Sequence, residues 1–528
     1  MKKRAVLVVI AVCAAQFVFA GGNRQAATPG AAEKIETIEK IEFWFLPTSS
    51  EAGMPPSDWK AYQRLKETAR VDLALTMLPS NVGDRDQKTM AAAAANALPD
   101  IFYVSRDALQ KLIATGTVAP VDDLYAALPN WYRQYGGDAG RDYTTINGKS
   151  YGIAYNGGGQ PRNEGMLIRK DWLDRLGLAV PVTTEDYLNV MRAFTRNDPD
   201  GNGRADTYGF GVFLDITAVE EGFGTRMAPL FGAFGVAGTW NLSRAGAGLN
   251  IYKEGYFDAL RFVRTIVEEQ IIDPNWTSYG RDDFRAAWKQ GRFGIMRENH
   301  SAYGSEANYA PFDKNFPNGE WIVLDPPKGP RGEASVGSYT NSFGIIAVSA
   351  NAIKQGKGPA IARLFEWMAT DDAYYLLGWG ERGVNYTIDA NGSAVEAGIP
   401  DPSKGYAKPD VIPLTQLRGY IQRNSDAELI SRYPTYKAPT SGKTMSALVT
   451  LRDMQKRPWT LIQGSDTLPL PSADVQRFYR QGVMEFVTGT RPLTRDTWAA
   501  YIAEFDRIGG KDWEKAGIAA AQSAGLIK

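Results

Sequence analysis

Near the amino terminus, short apolar runs alternate with helix-period segments, and this alternation confines the chain to folds built on a sheet flanked by helices. Residues 41–46 (IEFWFL) read as a strand, 58–70 as an amphipathic helix, 71–77 as a strand, 86–96 as an alanine-rich helix and 101–104 as a buried strand. Strands separated by helices pair in parallel, because each crossover returns the chain to the end where the last strand began. An α/β class follows. At 528 residues the chain exceeds what one hydrophobic core usually organises, so two domains are expected. No repeat of fixed period is present. Gly and Pro clusters at 157–161, 326–332 and 397–409 mark loops and candidate crossings between the domains.

The amino terminus supplies an address. Lys2, Lys3 and Arg4 precede an apolar run over residues 5–15, and Val18-Phe19-Ala20 places tolerated residues before Gly21, the pattern of a cleavable signal peptide over residues 1–20. Export to the periplasm or the extracytoplasmic cell surface is the expectation. Cys13, the only cysteine, would leave with the signal, so the mature chain has no thiol, disulfide or cysteine metal site. The alternative is a lipid anchor at Cys13, against which Val12 is a poor preceding residue and the apolar run is short. Residues 21–34 are small and polar and read as a flexible tether. Beyond the signal no window approaches the roughly 18 apolar residues of a membrane span. Removing Lys2, Lys3 and Arg4 leaves 56 basic against 59 acidic residues, a net charge of −3, which argues against nucleic acid or an anionic membrane as partner.

Residues 198–206 read DPDGNGRAD. Asp198, Asp200, Asn202 and Asp206 fall at positions 1, 3, 5 and 9 of a calcium loop, with Gly203 at position 6 and the Arg204 carbonyl at position 7. Alternate oxygen ligands around a tight glycine turn suit Ca²⁺, and the bland alternative is a solvated turn. Gly209 stands at position 12, where an EF-hand carries a bidentate Glu, and the flanks do not read as paired helices, so the loop is not an EF-hand. Catalytic chemistry is thinly provided. His300 is the sole histidine, so a multi-histidine zinc site cannot be built, and no nucleophile elbow or phosphate loop is present. Paired carboxylates such as Glu220 with Glu221, or Glu298 with Glu381, leave a carbohydrate-active enzyme open as the alternative.

Several segments in order carry a family resemblance: LPDIF at 98–102, GKSYGIAY at 148–155, LIRKDWLDRLG at 167–177, PVTTEDYLNVMRA at 181–193, the calcium-like loop ending in Thr207-Tyr208-Gly209, GRFGIM at 291–296, FGIIA at 343–347 and GERGVNYTID at 380–389. Together they resemble the family 1 extracellular solute-binding proteins of ABC importers, especially the large lipoprotein-type and alginate-binding-protein-like members, over nearly the whole mature chain. The resemblance implies a two-lobed, type II-like periplasmic-binding-protein fold with several hinge crossings and a ligand cleft between the lobes. Lobe one would comprise residues 35–155 and 340–425, and lobe two residues 156–339 and 426–528. It further implies a structural calcium ion in lobe two, away from the ligand. Alginate-binding-like members often carry an acidic residue where this chain has Thr207, which puts occupancy in question.

Aromatic residues beside polar ones in loops suit carbohydrate, since flat rings stack on pyranose faces while polar neighbours take the hydroxyls. The candidates are Trp44 after the first strand, Tyr155 and Asn156 at the first crossover, and Phe223 and Trp240 in lobe two. Trp276 and Tyr279 follow in PNWTSYGR, then Arg297, Asn299, His300 and Tyr303 after GRFGIM, Tyr339 and Asn341 at the return, and Trp379, Glu381 and Arg382 before NYTID. Trp172, Trp367, Trp498 and Trp513 read as core. The expectation is a monomeric, non-enzymatic binding protein that captures a carbohydrate, most simply an oligosaccharide, and hands it to the transmembrane subunits of an ABC permease by hinge closure. A sensory protein that presents its ligand to a receptor stays open.

Overall fold

The computed structural model describes residues 37–47, 53–79, 82–146, 148–156, 162–214, 225–243, 246–339, 343–390, 392–396, 412–423, 425–462, 468–469, 471–523 and 527. The signal peptide and tether fall outside them. Residues 38–528 form one compact unit. It is organised around strands β1 (Glu39–Phe45), β2 (Val71–Met77), β3 (Ile101–Val104), β4 (Ile153–Asn156), β5 (Glu164–Arg169), β6 (Tyr208–Gly211), β7 (Phe293–Asn299), β8 (Trp321–Leu324) and β9 (Phe343–Val348).

The first sheet has the order β2-β1-β3-β9-β4. β1 pairs in parallel with β2, from Glu39 opposite Val71 to Phe45 opposite Met77, and with β3, as the alternation of strand and helix requires. β9 then enters antiparallel to both β3 and β4, so the sheet is mixed. Within β1 the burial alternates: Ile41, Phe43 and Phe45 are fully buried, Glu42 is exposed and Trp44 is half-buried. This is the period of a strand with one face on a core. Its core continues through Leu65, Trp131, Tyr155, Phe365, Trp379 and Tyr420, with a second cluster around Phe102, Leu109 and Ile345 on the other face.

The second sheet has the order β8-β5-β7-β6, with β5 antiparallel to β7 and β8, and β6 parallel to β7. Met166, Leu167 and Ile168 are each fully buried, because this strand is covered on both faces. The helix Thr184–Arg196 opens with a capping box between Thr183 and Asp186 and buries Tyr187, Val190, Met191 and Phe194, one stripe at helical spacing. The C-terminal helices Ala473–Thr488, Arg495–Arg507 and Gly510–Ser523 complete this core with Tyr479, Phe486, Tyr501, Phe505 and Trp513.

The chain passes from the first core to the second after Tyr155, back after Val336, and across again after Ile421. The first passage spans the glycine-rich segment 157–161, which lies outside the described residues. The cluster at 326–332 is not a crossing: Gly329 donates to the Glu333 carbonyl at 2.8 Å, closing a turn within the second half, and the passage follows it. Segment 397–409 lies outside the described residues.

Candidate functional site

All three crossings meet at the carboxyl end of β7. Arg297, 2% exposed, pairs with Glu164 at 3.3 Å on the first crossing and donates to the Gly337 carbonyl at 2.8 Å on the second. Asn299 caps the following short helix, its Oδ1 accepting from the Ser301 N–H at 2.9 Å. The His300 N–H donates to the Asn163 carbonyl at 2.9 Å, its Nδ1 lies 3.0 Å from the same oxygen, and its ring stands edge-on to Tyr433 of the third crossing at 6.3 Å.

The electrostatics of this junction follow from burial. Arg226 pairs with Glu164 at 3.3 Å and lies 3.7 Å from Glu298, which Arg285 holds at 3.1 Å. Burial opposes ionisation of Glu164, but the Arg226 and Arg297 guanidiniums outweigh it and hold its pKa below the usual range. Burial pushes His300 down to about 4, so the ring is neutral at pH 7. With Nδ1–H facing the Asn163 carbonyl, Nε2 is an acceptor that has no hydrogen-bond partner among the described residues. A neutral, buried imidazole and guanidiniums paired with Glu164 and Glu298 form a scaffold that ties the crossings together.

Two cavities bear on the candidates. One of about 570 Å³ lies against the junction, lined by Gly304, Glu306, Pro311, Arg432, Tyr433 and Tyr436. The other, of about 480 Å³, lies on the first half between the helices Lys60–Thr68 and Asp371–Trp379. Glu381 and Arg382 line the latter, with Glu381 paired to Lys60. Glu298, paired with Arg285, and Glu381, paired with Lys60, belong to different halves, while Glu220 and Glu221 lie outside the described residues.

The structure puts most of the aromatic candidates elsewhere than a ligand surface. Tyr155 packs on Tyr420 at 4.6 Å, Trp240 edge-on to Trp513 at 5.5 Å, and Trp276, Tyr303 and Trp379 are likewise buried in cores. A sugar cannot reach these rings without opening the packing, because their large apolar area is worth more in a core than in a loop. Tyr279, half-buried, donates to Asp273 at 2.7 Å, and Arg297 is spent on the crossings. Trp44 is half-buried with the Lys88 ammonium 4.7 Å from its ring. Phe223 and Asn341 lie outside the described residues, as do the side chains of Asn156 and Tyr339. Trp172 and Trp513 lie in the core of the second half and Trp367 in that of the first, and Trp498 is half-buried against the second.

The loop at 198–206 joins the helix Thr184–Arg196 to β6. Asn202 Nδ2 donates to Asp200 at 2.9 Å and to Asp206 at 3.2 Å, and Asp198 accepts from the Asn202 and Gly203 N–H groups, each at 3.0 Å. The Asn202 amide thus occupies the middle of the acidic ring as a stand-in for positive charge. Among the described residues no three acidic or histidine side chains converge as a ready metal clasp. Gly201 and Gly203 have φ of 73° and 74°, the turn geometry that needs glycine. A Cβ at Gly209 would collide with the Met191 carbonyl, which rules out a glutamate there. Thr207 is buried and donates to the Phe194 carbonyl at 2.8 Å, so its side chain anchors the helix end and does not face the ring.

Comparison with known proteins places the architecture. The profile described as bacterial extracellular solute-binding protein matches residues 60–377. The polygalacturonan/rhamnogalacturonan-binding protein YtcQ of Bacillus subtilis is 24% identical over 441 residues, 80% of this chain and 82% of that one. The structure of the Streptococcus pneumoniae ABC-transporter substrate-binding protein FusA in complex with kestose aligns over 93% of this chain and 100% of its own, with a TM-score of 0.62 at 19% identity. The alginate-binding protein AlgQ2 without calcium ion aligns over 92% and 98%, with a TM-score of 0.62 at 15% identity. The fold is thus the two-lobed one, with the first sheet in one lobe and the second in the other.

Proposed function

We propose, from the premise that this chain belongs to the bacterial extracellular solute-binding proteins, that it captures an oligosaccharide outside the cytoplasm and delivers it unaltered to an ABC permease. The observation that carries this is the family match over residues 60–377, which takes in strands of both sheets and two of the crossings. Relatives named for polygalacturonan and rhamnogalacturonan binding, and for a kestose complex, support a carbohydrate ligand. The junction at β7 supports hinge closure as the mechanism: it ties all three crossings to one strand end, so the lobes turn about a fixed point and a ligand touching both stabilises the closed state. No helix among the described residues is long and apolar enough to cross a membrane, in keeping with an exported protein released by a signal peptide over residues 1–20. We place lobe one at residues 35–155 and 340–425 and lobe two at 156–339 and 426–528. Trp44, Asn156, Phe223, Asn299, His300, Tyr339 and Asn341 are retained as ligand candidates, with Glu381 and Arg382 at a separate groove.

Calcium is proposed as a structural ion held by Asp198, Asp200, Asn202, the Arg204 carbonyl and Asp206. The carboxylates fit a hard cation once the Asn202 amide turns its oxygen inward, and the ion would neutralise their mutual repulsion. A solved structure of an EF-hand mutant of FusA in complex with fructo-nystose supports a cation loop in a relative.

The test is a thermal-shift screen against neutral and acidic oligosaccharides, followed by chromatography of the recovered sugar. A ligand at 100 times its Kd adds about 2.7 kcal/mol of stability. Sugar recovered intact is the expected outcome; cleavage that disappears on mutating a carboxylate overturns it.

A further inference from the structure

We infer that Trp459, backed by Arg162, is a platform on which one ring of the bound oligosaccharide stacks; the inference rests on the solute-binding reading above. The chain has 13 tryptophans. Among the described residues Trp44 and Trp498 are half-buried, Trp459 is 44% exposed and the others are buried. A lone surface indole needs no explanation, but this one is held at a particular place. Immediately before it, Pro458 accepts from the Val336 N–H at 3.0 Å, and immediately after it the Thr460 N–H donates to Ser335 Oγ at 2.7 Å. Leu461–Ile462 then pairs in parallel with Ser338–Tyr339, so the tryptophan rides on the second crossing.

Its neighbour comes from the first crossing. The Arg162 guanidinium stands 5.1 Å from the Trp459 ring centroid and is itself fixed by donation from Nη1 to the Gln455 carbonyl at 2.6 Å. Arg162 has φ of 53°, a left-handed conformation that a non-glycine residue adopts only where its surroundings enforce it. The indole is thus clamped between two passages of the chain from lobe to lobe, cation on its face and much of its surface in water. A rigid aromatic of this kind binds without the entropy cost of ordering a loop. Sugar C–H groups stack on an indole surface, and the remaining Arg162 N–H donors reach a hydroxyl or carboxylate oxygen of the same residue. Neutral and acidic sugars share this chemistry.

The test uses the full mature chain with kestose and trigalacturonic acid as probes, read by calorimetry and by iodide quenching of tryptophan fluorescence. A probe that binds is expected to shield an iodide-accessible tryptophan, and that shielded signal is expected to be missing from Trp459→Phe. Trp459→Ala is expected to weaken binding about tenfold or more, Trp459→Phe less, with the unliganded melting temperature of both close to the parent. Equal affinity in Trp459→Ala, with Trp459 still quenchable in the saturated parent complex, overturns the platform and leaves the solute-binding reading intact. Failure of the parent to bind these probes or any member of an oligosaccharide panel overturns both.

Discussion

His300 and Glu428 are buried titratable groups at the crossings, and they pull the pH dependence of stability in opposite directions. His300 is depressed from 6.5 to about 4, first by burial, with Arg432 adding to the effect and Glu164 opposing it. Its stabilising contribution is complete above pH 6.5 and is lost as pH falls through 4. Glu428 accepts from the Tyr374 hydroxyl and lies 3.5 Å from Arg418, whose guanidinium sits 4.4 Å over Trp379, yet burial raises it from 4.5 to about 7. Its native state favours the proton, so its contribution is present below pH 4.5 and lost as pH rises through 7. Each shift corresponds to about 3 kcal/mol at most. Relative to the parent, His300→Gln should therefore lose less stability as pH falls from 6.5 to 4, and Glu428→Gln should gain less as pH falls from 7 to 4.5. Melting curves across pH 4 to 8 check both, and parallel profiles in parent and variants would count against the assignment. A second expectation concerns Trp240, which packs on Trp513 and against Gly517. Trp240→Ala should cost on the order of 3 to 5 kcal/mol in denaturant unfolding and leave sugar affinity unchanged in the folded fraction. Residue identity alone could not separate Trp240 from Trp459: both are aromatics beside polar neighbours, and only tertiary packing decides which ring meets water. Arg297 was legible as important, but its partners Glu164 and Gly337 are distant in sequence, and that hid its structural role.

Elements were more legible than side chains, because hydrophobic period is a local signal. The strands expected at 71–77 and 101–104 match β2 and β3, and the helices expected at 58–70 and 86–96 appear as Lys60–Thr68 and Val82–Ala94, displaced at their ends. The antiparallel entry of β9 was not legible, since strand direction depends on a partner more than two hundred residues away. The loop at 198–206 is the element whose sequence and structure inform each other most. Its spacing names the residues proposed to hold calcium, and the structure adds that Gly209 has no room for a side chain and that Thr207 points into the helix end. Replacing Thr207 with an acid should therefore not strengthen the ion site, and Thr207→Asp should lower stability by losing a buried hydrogen bond, about 1 to 3 kcal/mol. Calcium should raise the melting temperature in a dose-dependent way, and Asp200→Ala should abolish that response. Calorimetry with millimolar calcium and no heat of binding would reduce the loop to a turn held by Asn202.

At the scale of the whole molecule, a two-lobed plan with several crossings was legible through the order of family-like segments, and the glycine-rich stretch at 157–161 falls on the first passage. The convergence of all passages on the end of β7 was not, because it joins Asn163, Gly337 and Tyr433 across some 270 residues of sequence. That convergence makes a mechanical prediction. A hinge pinned at one strand end should allow the lobes to rotate as rigid bodies, each keeping its own core, so ligand should reduce the radius of gyration seen by small-angle scattering without altering far-ultraviolet circular dichroism. Arg297→Lys keeps the charge but loses the planar fork that grips Glu164 and Gly337 together. It should loosen the pivot, broadening the unliganded scattering ensemble and weakening sugar binding, since a larger share of the ligand's differential affinity is then needed to populate the closed state. A variant with parental scattering in both states and parental affinity would show that the crossings are held elsewhere and that Arg297 is ordinary core packing.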